Sequence, residues 1–305
     1  MTIERYKITS RDQWMALRAA DLTASDVGAA AGADRRKSAL QLYAEKTGAL
    51  FPAADNKMMR RGRWLEPAVI EALHDEHPDW RIIRPGLYLR DPELRLGATP
   101  DAVAETGEAG ILHNVQCKVV SRPVYERDWS DGPPLPYLLQ TLTEGLLLDM
   151  PSYIAALVID TYSAELELFS IERHAAAEQR VKSIASEFWR RVATGNPPAA
   201  DYARDAETVA ALYPESVPEP VLDLSGDNRM AELLPARAML KNEADGIMQQ
   251  LLEIDTEIKA KLGDHEVATL PGWRLSWKTH HRKEFVTPAS TYRALRVAEL
   301  QEEIA

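Results

Sequence analysis

The chain has 305 residues, of which 45% are hydrophobic and 27% charged, a composition typical of a folded globular protein and not of a disordered one. Its formal net charge is −11, and Cys117 is its only cysteine. One cysteine excludes a disulfide framework and any zinc or iron–sulfur site built from several cysteines. With no recognisable secretory signal or bilayer-spanning apolar run, the expected compartment is the reducing cytoplasm.

The negative charge is unevenly distributed along the chain. Residues 201–260 contain 13 acidic and 5 basic side chains, a net charge of −8, so most of the excess lies beyond the first 200 residues. Because a nucleic acid is bound by a local basic patch, the overall acidity does not exclude a nucleic-acid ligand.

Hydrophobic periodicity predicts the elements of the first 195 residues in order. Apolar side chains at helical spacing, such as Leu65, Val69 and Leu73, predict a helix over 58–77. Short strands are expected at 87–89 and 101–105, and a glycine-containing turn at 107–110 joins the second of these to a strand over 111–120. A helix over 136–149, strands over 152–159 and 166–171, and a helix over 175–192 then follow. The fold class expected is α/β (α+β), a mixed sheet flanked by helices.

A proline-rich, acidic stretch suggests a domain boundary. The predicted organisation is a core over 1–195, a linker over 196–225 and an extension over 226–305. In the extension, Ile247, Leu251, Ile254 and Ile258 follow a/d spacing within a helix over 230–262, which suits a coiled-coil hairpin or a docking helix. A β-hairpin over 267–278 and a short helix from about Pro288 complete it.

One predicted hairpin brings together side chains suited to phosphodiester hydrolysis. Asp101 follows Pro100 at the start of one strand, while Gln116 and Lys118 lie two apart on the other, so both point to the same face. With the backbone carbonyl of Cys117, these groups provide oxygen ligands for Mg²⁺, for which Mn²⁺ can substitute, and a cation for the phosphate.

An ordered series of motifs carries a family resemblance. The series consists of Thr23-Ala24-Ser25-Asp26, Tyr43, Glu45-Lys46-Thr47-Gly48, Gly62, Leu65-Glu66-Pro67, Ala98-Thr99-Pro100-Asp101, Cys117-Lys118 and Pro136-Tyr137 with Gln140. Over roughly residues 10–195 the chain resembles the YqaJ-type viral recombinases, which are related to the lambda exonuclease. Each motif alone is weak, and the order in which they occur makes the resemblance specific.

The resemblance implies a PD-(D/E)xK nuclease with a restriction-endonuclease-like fold, of the phage or prophage recombination type. Such an enzyme degrades one strand of linear duplex DNA from its 5′ end. It also implies that Glu66, Asp101, Lys118 and Gln140 are site residues, with Glu66 and Asp101 toward the metal. A homotrimer and a single-strand annealing partner are further implications.

A terminal phosphate has a candidate site near the N-terminus. The resemblance assigns it to Arg18 and Ser25, which lie seven residues apart as in the family. Independently, Thr23 and Ser25 are residue types that cap helices, and free amides at a helix start favour an anion.

Gln116 departs from the family pattern, which usually has glutamate there. Three interpretations remain open: an active enzyme that tolerates glutamine, as in Mrr-like nucleases, a DNA-end-binding module with weakened or no activity, or an active enzyme whose missing carboxylate comes from elsewhere. Glu144, four residues after Gln140, is a candidate for the last interpretation. A site-specific endonuclease of the same fold is a further alternative.

Each candidate also has a purely structural interpretation. Asp101 could be a turn residue, Glu66 a solvated charge paired with Arg63 or Arg60, and Lys118 the end of a strand. Gln140 and Glu144 could form the polar face of a helix, which for Glu144 is the preferred interpretation. Cys117 is expected to be a small buried hydrophobe.

Further cations and aromatic residues are candidate DNA contacts. Three groups are considered: Arg60, Arg61 and Arg63; Arg35, Arg36 and Lys37; and, in the second hairpin, Trp273, Arg274, Trp277 and Lys278. The first two groups could be solvated charges, and the hairpin residues could stack on unpaired bases or simply form a small core. The segment ending in Lys37-Ser38 lacks the glycine before lysine that a P-loop requires, and His74 with His77 lacks further zinc ligands.

Overall fold

The computed structural model describes residues 2–51, 56–107, 110–284, 289 and 292–298. The chain divides into two compact units, Met1–Tyr213 and Pro214–Ala305. In the described ranges, every helix is too short or too polar to cross a bilayer.

The elements are numbered in chain order. The helices are α1 Arg11–Ala20, α2 Ala24–Ala30, α3 Ala39–Thr47, α4 Lys57–Glu76, α5 Arg122–Asp128, α6 Leu135–Leu148, α7 Ala175–Thr194, α8 Ala206–Leu212 and α9 Asn228–Leu262. The strands are β1 Glu4–Lys7, β2 Leu22–Thr23, β3 Arg81–Ile83, β4 Leu87–Asp91, β5 Leu96–Ala98, β6 Ala102–Thr106, β7 Ile111–Ser121, β8 Ser152–Ile159, β9 Ala164–Ile171, β10 Val267–Leu270 and β11 Trp273–Ser276.

A mixed five-stranded sheet forms the centre of the first unit, in the order β3-β6-β7-β8-β9. Strands β7 and β8 run parallel, and the other neighbours are antiparallel. The hairpin predicted between 101–105 and 111–120 is confirmed as β6 and β7, with Ala102 opposite Val115.

Strand β7 has two different faces. Val115 and Cys117 pack with Val69 and Leu73 of α4 in a buried apolar cluster. The alternate residues point to the opposite side, where α5 and α6 lie and where Val120 packs against Trp129. Since successive strand residues alternate in direction, one strand contributes both to the core and to a polar face.

A second sheet, in the order β1-β4-β5-β2, lies in the same unit. It packs with α2, α6 and α7 around a core that includes Leu22, Leu89, Leu96, Val181 and Phe188. Only one of its four strands was expected from the sequence, because strands of two to four residues leave almost no periodic pattern.

The first unit extends beyond the predicted core boundary. Helix α8 packs against α3, and the buried carboxylate of Asp205 accepts a hydrogen bond of 2.6 Å from the Ser38 hydroxyl. The predicted linker over 196–225 thus spans the division after Tyr213. The two ends of the linker and the extension over 226–305 stay predictions.

The second unit contains one continuous helix and one hairpin in its described part. Helix α9 runs for 35 residues with Pro235 inside it, so it is not the helical hairpin considered above. Its a/d residues Ile247, Leu251 and Ile254 are exposed. The second hairpin is present as β10 and β11. Pro288 lies outside the described residues, and residues 292–298 contain no helix.

Candidate active site

Asp101 lies just before β6 and faces the middle of β7. One oxygen of its carboxylate, Oδ2, accepts a hydrogen bond of 2.9 Å from the backbone N–H of Cys117 and another from the Gln116 side chain. The hairpin pairing places these residues side by side, as the sequence predicted. Asp101 is therefore fixed to the strand by two donors and is more than a turn residue.

Gln116 and Lys118 share the polar face of β7, where Gln140 of α6 meets both. The Lys118 ammonium donates to Gln140 Oε1 at 2.9 Å, and Gln140 Nε2 donates to Gln116 Oε1 at 2.7 Å. Lys118 also lies 4.7 Å from the centre of the Tyr137 ring, within range of a cation–π interaction. Of the predicted site residues, Asp101, Gln116, Lys118 and Gln140 form one connected group.

Electrostatics at Asp101 reflect its burial. Removal from water raises the pKa of Asp101 to about 6, with a further upward contribution from Glu66, while the Lys118 cation opposes the rise. Such a buried carboxylate is stabilised by a nearby positive charge. Burial likewise raises the pKa of the Cys117 thiol, which lies in the apolar cluster of α4, as expected for a small buried hydrophobe.

Glu66 approaches the same carboxylate from α4. Its side chain forms an ion pair with Arg84, in the segment between β3 and β4. It is close enough to Asp101 to influence the pKa of that residue. The two acids thus interact electrostatically.

The donor set suits a hard divalent cation. Within the described residues, no three His, Cys, Asp or Glu side chains converge as a metal cluster, and the residue between Asp101 and Gln140 is an amide, Gln116. Carboxylate, amide and backbone carbonyl oxygens are nevertheless ligands of Mg²⁺, which commonly uses only one or two protein carboxylates. Asp101, Glu66, Gln116 and the Cys117 carbonyl therefore fit the ion.

Glu144 is buried, which contradicts its preferred interpretation as part of a solvated helix face. Only 1% of its surface is exposed, because α6 turns this residue toward β7. Its carboxylate accepts from Gln140 at 3.1 Å and from Asn114 Nδ2 at 3.2 Å. Burial, reinforced by the charge of Asp101, raises the pKa of Glu144 to about 8. The Oδ1 atom of Asn114 is buried without a hydrogen-bond partner.

The candidate phosphate site is assembled at the junction of α1 and α2. Arg18 donates a hydrogen bond of 3.0 Å to the Ser25 hydroxyl and stacks its guanidinium 4.6 Å from the centre of the Trp14 ring. Thr23 precedes α2 but makes no side-chain cap. Thr23 thus occupies the N-cap position, as expected, but its hydroxyl donates to Asp26 at 2.7 Å and does not cap the helix. The pairing of Arg18 with Ser25 is present.

The remaining basic candidates occupy different environments. Arg60, Arg61 and Arg63 are exposed near the start of α4, and Arg60 lies 5.7 Å from the ring centre of exposed Trp64. Lys37, by contrast, forms ion pairs with Asp26 and Glu45 at 3.2 and 2.7 Å.

Lys37 is therefore ion-paired and only partly exposed, and it is not a freely solvated charge. Arg36 donates to the Tyr137 hydroxyl at 2.6 Å, and Arg35 pairs with Asp128 at 3.8 Å. In the second unit, Trp273 lies on β11 and Lys278 follows it, both exposed.

Comparison with known families assigns the part of the chain that contains this site. Residues 13–144 match the family model of the YqaJ-like viral recombinase domain. This part of the chain is similar to that domain. A relative named uncharacterized protein YqaJ, from Bacillus subtilis (strain 168), is 24% identical over 284 residues, which cover 88% of this chain and 83% of the relative. The predicted family resemblance is confirmed.

A solved structure shows the same fold. LHK-Exo in complex with dAMP superposes with a TM-score of 0.51 at 19% identity, covering 65% of this chain and all of that one. LHK-Exo is described as an alkaline exonuclease from Laribacter hongkongensis. The predicted fold class, a restriction-endonuclease-like mixed sheet flanked by helices, is confirmed.

Three contributors to the candidate site were not recognised as such from the sequence. Asn114, Tyr137 and Arg84 contact Glu144, Lys118 and Glu66, respectively. A signal for the first two was present, since Asn114 precedes Gln116 and Lys118 at strand spacing, and Tyr137 precedes Gln140 at helical spacing. Arg84 lies in a loop, where no periodic pattern indicates which way a side chain points.

Proposed function

We propose that this chain is a Mg²⁺-dependent exodeoxyribonuclease that degrades linear duplex DNA from its 5′ ends in phage-type recombination. The observation that carries the proposal is the convergence of Asp101, Gln116 and Lys118 on one face of the β6–β7 hairpin, within a YqaJ-like domain. The fold shared with an alkaline exonuclease supports it.

The metal would be held by Asp101 and Glu66, with Gln116 Oε1 and the Cys117 carbonyl as neutral ligands. A bound Mg²⁺ would lower the pKa of a coordinated water and offset the charge that develops on the phosphate. Mn²⁺ should substitute because it accepts the same oxygen ligands.

The protein side chains supply positioning and charge. Lys118, held between Gln140 and the ring of Tyr137, can donate a proton to a phosphate oxygen or orient the attacking water. Asp101 is kept in place by the Cys117 N–H, so its free lone pairs point away from the strand. Preorganised groups of this kind need little rearrangement during the reaction.

Polarity is proposed from the Arg18 and Ser25 pair. A guanidinium already stacked on Trp14 and directed at a hydroxyl is suited to a terminal phosphate, for which arginine forms charge-assisted hydrogen bonds. Trp14 also donates to Thr99 at 2.9 Å, two residues before Asp101, so a 5′ phosphate anchored at Arg18 is proposed to present a nearby linkage to Asp101. Arg60, Arg61 and Arg63, with Trp64, offer a DNA-contacting surface on the helix that carries Glu66.

The second unit is proposed to assist in recognition. Trp273 and Lys278 combine an exposed ring with a cation, a mixture suited to stacking on unpaired bases. The acidic stretch over 201–260 is proposed to dock a single-strand annealing protein. A homotrimer is proposed from the family resemblance. Size measurement by light scattering tests the oligomer.

The first experiment follows nucleotide release from a 5′-phosphorylated linear duplex in Mg²⁺. We expect Asp101→Asn, which keeps the side-chain shape, to lose activity by more than about 100-fold, as does chelation with EDTA. Supercoiled circular DNA serves as the second substrate. Cutting of the circle would support the site-specific endonuclease, and no Asp101-dependent release from either substrate would refute nuclease activity.

The second experiment tests polarity with duplexes that differ only in a 5′ phosphate or a 5′ hydroxyl. Arg18→Ala should lower the preference for the phosphorylated end about 10-fold or more. Arg11→Ala, which removes the same charge one to two turns away on α1, is the matched control and should keep the preference. An unchanged preference in Arg18→Ala contradicts the assignment.

A DNA-end-binding module without turnover is the second candidate, and the orientation of Gln116 favours it. Gln116 presents its Nε2 atom, and not its oxygen, to Asp101, which is unfavourable for metal binding until the amide turns over. This candidate predicts salt-sensitive binding of duplex ends without cleavage. It also predicts that Gln116→Glu creates or sharply raises nuclease activity.

A further inference from the structure

Glu144 is a buried carboxyl group with no part in the chemistry described above. It lies on α6, one turn after Gln140, and its two oxygens accept from Gln140 Nε2 and Asn114 Nδ2. Across the described residues, no lysine, arginine or histidine forms an ion pair with it. The apolar neighbours Leu146 and Leu147 are buried on the same helix, so an apolar residue at position 144 would avoid the cost of burying a carboxyl group.

The partner of Glu144 is the residue that touches both Lys118 and Gln116. Gln140 uses its Oε1 for Lys118 and its Nε2 for both Gln116 and Glu144. A side-chain amide can turn by half a rotation, which exchanges its oxygen and nitrogen. Turned over, Gln140 would direct an NH₂ group at the Lys118 ammonium and its oxygen at two other oxygens.

Lys118 alone cannot hold the Gln140 amide in its observed orientation, because the Lys118 ammonium must be available to the phosphate during the reaction. Gln116 cannot hold the Gln140 amide either, since the proposed function requires the Oε1 atom of Gln116 to turn toward a metal ion. Glu144 is different: its carboxylate form has only acceptors, its protonated form keeps Oε1 as an acceptor when the proton is on Oε2, and burial together with Asn114 prevents the side chain from moving away.

We propose that Glu144 is a positioning residue that fixes the amide of Gln140, and through it the placement of Lys118 and Gln116. Three residues of one helix face, Tyr137, Gln140 and Glu144, thereby set the polar face of β7. The catalytic part of this inference rests on the proposed nuclease function, whereas the structural part does not.

The kinetic test compares two substitutions of Glu144. Glu144→Gln keeps a carbonyl oxygen toward Gln140 and should retain kcat to within about twofold. Glu144→Met keeps volume and helix propensity but removes the acceptor, and should lower kcat by about 10- to 100-fold with KM little changed, as for other residues that orient a site from behind. Thr141→Val, which removes a buried hydroxyl without a partner from the same helix, is the control with unchanged rates.

A double-mutant cycle separates positioning from a general loss of structure. If Glu144 acts through Gln140, Glu144→Met should cause no further loss of kcat in a Gln140→Met background. If the losses of kcat caused by the two substitutions multiply in the double mutant, the proposal is overturned. Full activity of Glu144→Met, or a Glu144→Gln variant as impaired as Glu144→Met, would also overturn it.

The second readout is independent of nuclease activity. In ¹H–¹⁵N spectra, the side-chain NH₂ signals of Gln140, identified by their absence in Gln140→Met, should be protected from solvent exchange in the wild type and in Glu144→Gln. The protection should be lost in Glu144→Met and kept in Thr141→Val. If the wild type releases no nucleotides, the proposed function fails while this test still applies; unchanged protection in Glu144→Met would overturn the positioning role even in an active nuclease.

Discussion

Gln116→Glu is the substitution with the most informative consequences, because it exchanges a hydrogen bond for a repulsion. In the structure, Gln116 Nε2 donates to Asp101 Oδ2 and Gln140 Nε2 donates to Gln116 Oε1. The introduced carboxylate can still accept from Gln140 but loses the bond to Asp101. A hydrogen bond to a charged group contributes about 1.5–3 kcal/mol, and two like charges about 4 Å apart repel by about 4 kcal/mol at an effective dielectric constant of 20. Partial proton uptake relieves part of this repulsion.

We therefore expect Gln116→Glu to lower the free energy of unfolding by about 3 kcal/mol in EDTA at pH 8. The introduced carboxyl group has a folded-state pKa raised above its unfolded value of about 4.3. For an acid shifted in this direction, the penalty is full above the folded pKa and vanishes as the pH falls below the unfolded one. Stability of the variant relative to the wild type should accordingly recover between pH 8 and about pH 4.

A divalent cation should reverse the penalty, because three carboxylates, those of Asp101, Glu66 and the introduced glutamate, bind it more tightly than two. Saturation at 100 times the dissociation constant stabilises a protein by about 2.7 kcal/mol, so Mn²⁺ should raise the urea midpoint of Gln116→Glu more than that of the wild type. Gln179→Glu, which adds the same charge at an exposed site of α7, should do neither. Adding Asp101→Asn to the variant should restore its stability in EDTA.

The measurement is urea unfolding followed by tryptophan fluorescence, in EDTA and in Mn²⁺, at pH 5 and pH 8. Equal midpoints for wild type and Gln116→Glu in EDTA at pH 8, together with an equal response to Mn²⁺, would show that position 116 does not face a metal site. The interpretation of Gln116 as a replaced metal ligand would then be wrong.

Three further stability changes follow from the structure. Gly97→Ala should destabilise the first unit by about 3 kcal/mol, because a Cβ there would lie 1.9 Å from the buried Tyr88 hydroxyl; a wild-type thermal midpoint would contradict this. Ser38→Ala should cost about 1–3 kcal/mol by leaving the buried carboxylate of Asp205 without its hydroxyl donor, and hydrogen exchange should then rise first in α8. Glu144→Gln should gain stability over the wild type as the pH rises, by up to about 1.4 kcal/mol per unit between roughly pH 5 and 8. This follows because the raised pKa of Glu144 makes the folded protein bind the Glu144 proton more tightly than the unfolded chain does. Parallel plots of the free energy of unfolding against pH for the two proteins in EDTA would rule it out.

The central part of the fold was predictable because its elements are long and periodic. Strand β7 has 11 residues, and α4 and α7 have 20 each. Many repeats of the apolar pattern therefore show the type of each element and which of its faces is buried. The hairpin that joins Asp101 to Gln116 and Lys118 followed from the same alternation. Strands β2 and β5, with two and three residues, give no such signal, and the second sheet was missed for this reason.

Side-chain environments were less predictable than backbone elements. Lys37 and Glu144 look like ordinary solvated charges in the sequence, yet ion pairs surround one and burial encloses the other. Lys37 depends on contacts with two neighbouring helices, and Glu144 on the packing of α6 against β7. The apolar pattern within one element does not encode contacts between elements. Arg84, the partner of Glu66, illustrates the same limit.

Because β7 has a core face and a site face, the number of residues in the preceding turn affects which side chains face the site. Adding one residue between Gly107 and Gly110 shifts the β6–β7 pairing by one position, and such a slip turns every side chain to the opposite face. Val115 and Cys117 would then be directed at Gln140, and Gln116 and Lys118 at the apolar cluster of α4. The parallel pairing of β7 with β8 opposes that slip over eight residue pairs. Homologous sequences with altered turn lengths should therefore compensate in pairs, by adding or removing two residues at a time.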